Sequence, residues 1–103
     1  MRYEIKYSPI AIEDLDCVYD EVFRSSLSEE TATKYINELI DKIENKAIFP
    51  NSGTPLVFKN SVSPYRYVIY KSYIAFYCVK NETVFVYRIL YSKSDYIKKL
   101  KIN

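Results

Sequence analysis

Apolar and polar residues alternate over Tyr3-Glu4-Ile5-Lys6-Tyr7, which is the period of a half-buried strand. The period then changes. Ser8 suits a helix N-cap and Pro9 the first helical position. Ala11, Leu15, Val18 and Val22 recur at helical spacing, and Ile12, Tyr19 and Phe23 widen that apolar face. Asp14, Asp16, Asp20 and Glu21 fall mostly on the polar side, and Arg24-Ser25-Ser26 closes the helix. A second helix starts at Ser28, with Glu29 and Glu30 at its positive end. Its stripe is Ala32, Ile36, Leu39 and Ile43, flanked by Tyr35 and Ile40, and Lys42 and Lys46 stand near its C-terminus. The connection between the helices is short, so the pair is predicted to form an antiparallel hairpin.

Phe49-Pro50-Asn51-Ser52-Gly53-Thr54-Pro55 breaks the helical period and marks the change to sheet. Three strand-like runs follow, Tyr65–Tyr70, Tyr73–Lys80 and Thr83–Tyr91, with turns at Lys71-Ser72 and Asn81-Glu82. The basic tail, Lys93–Asn103, has the makings of a short helix. The predicted order is β-α-α-β-β-β in one α+β domain spanning residues 1–103, with the helical hairpin on one face of an antiparallel sheet.

A two-residue turn at Asn81-Glu82 sets Lys80 opposite Thr83 and fixes the ladder below it. One face is then expected to carry Tyr73, Ala75, Tyr77, Val79, Val84, Val86, Arg88 and Leu90. The other carries Ile74, Phe76, Cys78, Phe85, Tyr87, Ile89 and Tyr91. Both faces are apolar, whereas a sheet with one wet face alternates. Two helices cover one face. The other needs the tail, a second copy or a different chain.

Composition narrows the chemistry. The 103 residues contain no histidine, one glycine and two cysteines, at a net charge of +2. Without histidine, Ser-His-Asp and Cys-His nucleophiles are excluded. A zinc site would need carboxylates and two distant thiols. Gly53 alone makes no phosphate-binding loop. No metal and no cofactor are expected, so any catalysis falls to Arg, Lys, Tyr and carboxylates. Cys17 and Cys78 lie in apolar stretches and read as two buried, reduced thiols. No apolar run approaches the roughly 18 residues of a membrane helix, and the N-terminus has no leader-like core, so a cytoplasmic protein without membrane contact is expected.

Several side chains stand out. Arg66 opens a strand and suits either a phosphate or target contact or a solvated edge. Arg88 lies mid-strand and needs a carboxylate, with Asp14 or Glu13 of the first helix as the candidates. Lys93, Tyr96, Lys98, Lys99 and Lys101 combine positive charge with an aromatic ring, fitting RNA, DNA, a protein target or plain solvation. Tyr91 and Tyr96 are candidate aromatic contacts, while Tyr65, Tyr67 and Tyr70 read as packing.

Taken in order, the opening Tyr3-Glu4-Ile5-Lys6-Tyr7-Ser8-Pro9 with Ala11, Asp14 and Leu15, the second helix ending at Ile43 and the Phe49–Gly53 turn resemble a known family. So do Arg66, the Tyr73-Ile74-Ala75-Phe76-Tyr77 strand, and Val86-Tyr87-Arg88-Ile89-Leu90-Tyr91 running into Asp95-Tyr96. The chain resembles the RelE/ParE superfamily of bacterial toxins. The resemblance implies a growth-arresting, plasmid-stabilising toxin of a type II toxin–antitoxin module. Its partner would be a cognate antitoxin whose C-terminal segment wraps it, using a helix in a groove or strand addition. One branch of the superfamily cleaves mRNA on the ribosome without metal. It usually has an Arg where this chain has Ile74 and a basic residue where it has Ser92. On that branch Arg66, Lys93 and Tyr96 would be the catalytic set. Where some members carry a His, this chain has Tyr91, a much poorer base at neutral pH. These departures favour the ParE-like branch, which inhibits DNA gyrase and is not an RNA-cleaving enzyme. There Arg66, Tyr91, Lys93 and Tyr96 would be binding residues.

Overall fold

The computed structural model of the chain describes residues 2–100. The elements follow the order β1 (Glu4–Tyr7), α1 (Pro9–Ser26), α2 (Glu29–Glu44), two 3-10 turns (Asn45–Ala47 and Pro50–Ser52), β2 (Thr54–Phe58), β3 (Ser61–Tyr70), β4 (Tyr73–Lys80), β5 (Thr83–Tyr91) and α3 (Tyr96–Lys99). Lys101, part of the predicted basic tail, lies outside the described residues.

The helices start where the sequence places them. Ser8 Oγ accepts from the Ala11 N–H at 3.0 Å and Ser28 Oγ from the Thr31 N–H at 3.1 Å, each satisfying a free donor of a first turn. α1 stops at Leu27, which takes a left-handed φ of 55° and donates its N–H to the Phe23 carbonyl. The hairpin so formed packs on one face of the sheet, and the α+β architecture expected from the sequence holds.

The sheet has five strands in the order β1-β5-β4-β3-β2. Two features depart from expectation. First, an extra strand, β2, starts at Thr54 and Pro55, the last two residues of the segment read as a breaker. Pro55 tolerates it because β2 is an edge strand, where the missing N–H interrupts no ladder. The tight Lys59-Asn60 turn, with φ of 52° and 63°, links it to β3. Second, β1 pairs with β5 in parallel, Glu4 beside Thr83 through Tyr7 beside Val86, so the sheet is mixed. The Asn81-Glu82 turn is as predicted, with φ of 53° and 61° at the two positions.

A bulge corrects the expected faces. Lys80 pairs with Thr83 and Tyr77 with Val86, but Phe76 then pairs with Arg88, leaving Tyr87 as an extra residue. Beyond it the register moves by one. Ile89 and Tyr91 join the helix side opposite Ala75 and Tyr73, and Leu90 moves to the other side opposite Ile74. The main core is therefore Val18, Leu39 and Ile43 of the helices against Ala75, Tyr77, Val84, Val86 and Ile89. A second cluster on the opposite side contains Leu56, Ile74, Phe76, Leu90 and Leu100, with Tyr96 and Ile97 packed on it. The tail thus covers part of the face that the helices leave open.

α1 pins the bulge. Ser8 Oγ donates to the Tyr87 carbonyl at 2.7 Å, and Asp14 Oδ2 accepts from the Ile89 N–H at 2.9 Å. Asp14 also takes Arg88 in a two-pronged pair, Nε at 2.8 Å and Nη2 at 3.0 Å. That pair is the one expected from the mid-strand arginine. Its hydrogen bond to Asp14 raises the pKa of Arg88 further. Two other sequence readings are corrected. Cys17 is exposed on α1 and only Cys78 is partly buried. Ile12, at 53% exposure, lies outside the core stripe, because the helix buries only the Ala11–Val18 side.

The 3-10 turn at Pro50–Ser52 is clamped to the sheet. Tyr77 Oη donates to the Pro50 carbonyl at 2.9 Å and accepts from the Gly53 N–H at 3.0 Å. A Cβ on Gly53 would stand 2.2 Å from that hydroxyl. Tyr77 is 1% exposed and has nowhere to move. Gly53→Ala is therefore expected to lower unfolding stability by about 2 kcal/mol, as overpacking does. Urea denaturation of the two proteins measures it, and an unchanged midpoint would show that the turn can shift off Tyr77.

Candidate functional site

Three surfaces carry the candidate chemistry. The first is the sheet face opposite the helices. Ser94 turns the chain after β5, its N–H donating to the Tyr91 carbonyl at 3.0 Å. Asp95 caps α3 by accepting from the Lys98 N–H. The turn lays Tyr96 on Phe76, with ring centroids 5.3 Å apart. Leu100 completes the seal and is 3% exposed. Ile74, in the strand beneath, is 6% exposed and surrounded by this apolar cluster. Lys93, Lys98 and Lys99 are exposed around the tail.

Farther along the same face the tail stops short. A groove of 360 Å³ remains open, lined by Lys6, Tyr65, Cys78, Phe85 and Tyr87 among others. The rings of Tyr65 and Tyr87 stack at 5.4 Å, and burial pushes the Tyr65 hydroxyl up in pKa.

The second surface is a cleft of 530 Å³ between α2 and β3, lined by Glu38, Asp41, Lys42, Asn45, Lys46, Val68 and Tyr70. Tyr70 donates its hydroxyl to Glu38. Burial, and then that hydrogen bond, push Tyr70 up to about 12, while the Glu38 carboxyl is held below its usual range by the Tyr70 hydroxyl. Lys71 Nζ stands 5.2 Å from the Tyr35 ring and 5.3 Å from the Tyr70 ring. Tyr70 is therefore a neutral donor and Glu38 a committed acceptor. Neither is poised to move a proton near neutral pH. No sequence signal marks this cleft, since Glu38 reads as a polar helix residue and Tyr70 as packing.

The third surface is a smaller cleft of 290 Å³ at the end of β5, lined by Tyr91 with Glu21, Val22, Ser25, Tyr35, Ser72 and Tyr73. Tyr91 meets Tyr73 edge-on at 5.8 Å and is 44% exposed.

The sequence-derived site residues are divided among these surfaces. Lys93 and Tyr96 belong to the turn and tail on the open face. Tyr91 lies on the helix side, because the bulge turned it over. Arg66 also faces the helix side, paired in register with Tyr77. Its Nη1 donates to the Gly53 carbonyl at 2.9 Å and the Asn51 carbonyl at 3.2 Å, so it braces the Pro50–Ser52 turn. Arg66 and Tyr96 are thus on opposite faces of one sheet.

Charge is divided in the same way. The outer side of α1 carries Glu13, Asp16, Asp20 and Glu21 against a single Arg24, whereas the open face of the sheet and its tail carry Lys6, Lys80, Lys98 and Lys99. No group of three or more His, Cys, Asp or Glu among the described residues is arranged to hold a metal ion. Among them also, no helix is long and apolar enough to cross a membrane.

Comparison with known proteins puts this arrangement in context. The family model described as "ParE toxin of type II toxin-antitoxin system, parDE" matches residues 5–96. Among solved structures, the chain is similar to the chromosomal ParDE toxin–antitoxin system from P. aeruginosa. The TM-score is 0.74 at 20% identity, covering 89% of this chain and 98% of that one. It is also similar to the toxin–antitoxin complex RelBE2 from Mycobacterium tuberculosis, with a TM-score of 0.62 at 15% identity over 88% and 99% of the two chains. At such identities the structural likeness is one of fold. No curated protein matches the sequence.

Proposed function

The chain belongs to the ParE toxin family of type II toxin–antitoxin systems, and from that premise we propose that it arrests growth by inhibiting DNA gyrase. It is the toxin component of such a module, and a cognate antitoxin is its partner. On this reading it is a single cytoplasmic domain that stabilises its replicon, needs no cofactor and acts by binding rather than by bond cleavage.

The observation that carries the choice of target is the state of the ribonuclease positions. Metal-free cleavage of RNA needs cations at the phosphate and a group to take the 2′-hydroxyl proton, all within reach of one bond. Ile74 stands where the cleaving branch has an arginine, and it is buried in one apolar cluster with its strand neighbour Leu90 and with Leu100 of the tail. Arg66 is turned to the far side and bound to backbone carbonyls. Tyr96 has its phenol ring packed on Phe76, with only the exposed Lys93, Lys98 and Lys99 around the tail. This set supports recognition of a partner surface, with Lys93 and Tyr96 as the contact to the target and Tyr91 on a separate cleft of the helix side.

Purified toxin added to gyrase and relaxed plasmid is expected to block supercoiling, and its expression alone should stop DNA synthesis before protein synthesis. Early loss of translation with positioned cuts in mRNA, and intact supercoiling, would overturn the assignment in favour of the ribosome-dependent nuclease.

A further inference from the structure

We propose that the small cleft where the C-terminal end of α1 meets the end of β5 is a binding site for a guanidinium group, the head of an arginine side chain presented by a basic protein surface. The inference does not depend on which target the toxin inhibits.

Tyr70, Tyr35, Tyr73 and Tyr91 form an edge-to-face chain on the helix side of the sheet. The successive ring centroids are 5.1, 6.1 and 5.8 Å apart, at interplanar angles of 75°, 86° and 66°. Tyr35, supplied by α2, lines a cleft on each side of it. In one of them Lys71 Nζ stands over the Tyr35 and Tyr70 rings, and Lys34 and Lys71 balance Glu30 and Glu38. The other is the 290 Å³ cleft at the end of β5, walled by Tyr35, Tyr73 and Tyr91. Among the described residues, its lining holds one carboxylate, Glu21, and no cation. One end of the tyrosine chain thus carries its cation within the fold, and the other presents the same rings beside a carboxylate and awaits one.

The lining selects guanidinium. Burial first, then Tyr35, Glu21 and Tyr91, push the Tyr73 hydroxyl up in pKa, as groups gathered around one point do, so it stays a neutral phenol near neutral pH. Ser25 Oγ already donates to the Val22 carbonyl at 3.1 Å, which leaves it free to accept. A planar guanidinium stacks on a ring while its forked N–H groups reach a carboxylate, whereas an ammonium is a strongly hydrated point charge. The volume lies at the lower limit of ligand sites, right for the head of one side chain. Glu13, Asp16, Asp20 and Glu21 on the outer side of α1 draw a basic surface toward this end. Arg24 competes for Glu21, with Nη1 3.1 Å from Oε1, but both side chains are more than half exposed and such a pair exchanges readily.

The full chain is titrated with N-acetyl-arginine methylamide and followed by two-dimensional amide NMR. Binding is expected to saturate with a Kd on the order of 1 mM. The shifts should gather at residues 21–25, Ser72, Tyr73 and Tyr91, and be absent at Tyr65 and Tyr87. Glu21→Gln is expected to weaken binding about fivefold and Tyr91→Leu about tenfold. Arg24→Ala should strengthen it at least about twofold by removing the competitor. Glu21, Arg24 and Tyr91 are exposed, so circular dichroism should be unchanged, and damage to the fold would not produce effects of opposite sign.

Shifts that do not saturate, or that spread equally to Tyr65 and Tyr87, would overturn the proposal. So would weaker binding by Arg24→Ala. Equal binding of N-acetyl-lysine methylamide would make the cleft a general cation site and refute the choice of guanidinium. Agmatine binding at least about tenfold more tightly than the blocked arginine would give the cleft to a free small molecule and overturn its assignment to a protein side chain.

Discussion

Replacing Asp14 with alanine should destabilise the fold by about 3 kcal/mol, as removal of one partner from a buried ion pair does. In a domain of this size that lowers Tm by on the order of 15 °C. Three donors lose their acceptor at once, Arg88 Nε, Arg88 Nη2 and the Ile89 N–H. Arg88 is left with its side chain only 20% exposed, and Asp14 itself is 12% exposed, so water reaches the site poorly. The Ile89 N–H loses the carboxylate acceptor it holds at 2.9 Å. Asp14→Asn keeps one acceptor oxygen and should cost roughly half as much. Thermal unfolding followed by circular dichroism separates the three proteins. A loss below about 1 kcal/mol for the alanine variant would mean that the bulge is held by Ser8 alone.

Ile74→Arg is the second large effect. The cleaving branch of the superfamily has an arginine at this place, yet here the site is 6% exposed and closed by Leu90 and Leu100. A guanidinium buried there has no carboxylate in its cluster. The expected cost is about 3 kcal/mol, unless the tail lifts away and lets the charge reach water. Lifting the tail would expose Lys98 and Lys99 to trypsin, so faster cleavage there is the expected signature alongside the lower Tm. No RNA cleavage is expected, since Arg66 stays on the opposite face. A stable variant that cuts mRNA on the ribosome would refute this account and make Ile74 the only missing part of a nuclease.

The helices were legible because their signals are local. Ser8 and Ser28 announce caps, and the apolar period of the first helix runs to Phe23, after which Arg24-Ser25-Ser26 closes it. The Asp14–Arg88 pair was legible because an arginine in mid-strand demands an acid. The bulge at Tyr87 was not. β5 is apolar on both sides, so exchanging Ile89 for Leu90 across the sheet leaves no mismatch of polarity for a reader to notice. That single slip also moved Tyr91 away from Tyr96 and so divided the candidate site. β2 was hidden by Pro55, which argues against a central strand but not against an edge. The parallel pairing of β1 with β5 joins residues too far apart in sequence for any local pattern to show.

That last pairing has a consequence for how the molecule comes into being. β1 is made well before β5, its strand neighbour, and the bulge is held by contacts 74 to 79 residues apart. The ribosome must pass β5 before either can form. Contacts of such separation also make folding slow relative to a helical bundle. The hairpin of α1 and α2 can therefore form while the chain is still being made, whereas the parallel edge of the sheet and the bulge must wait for β5.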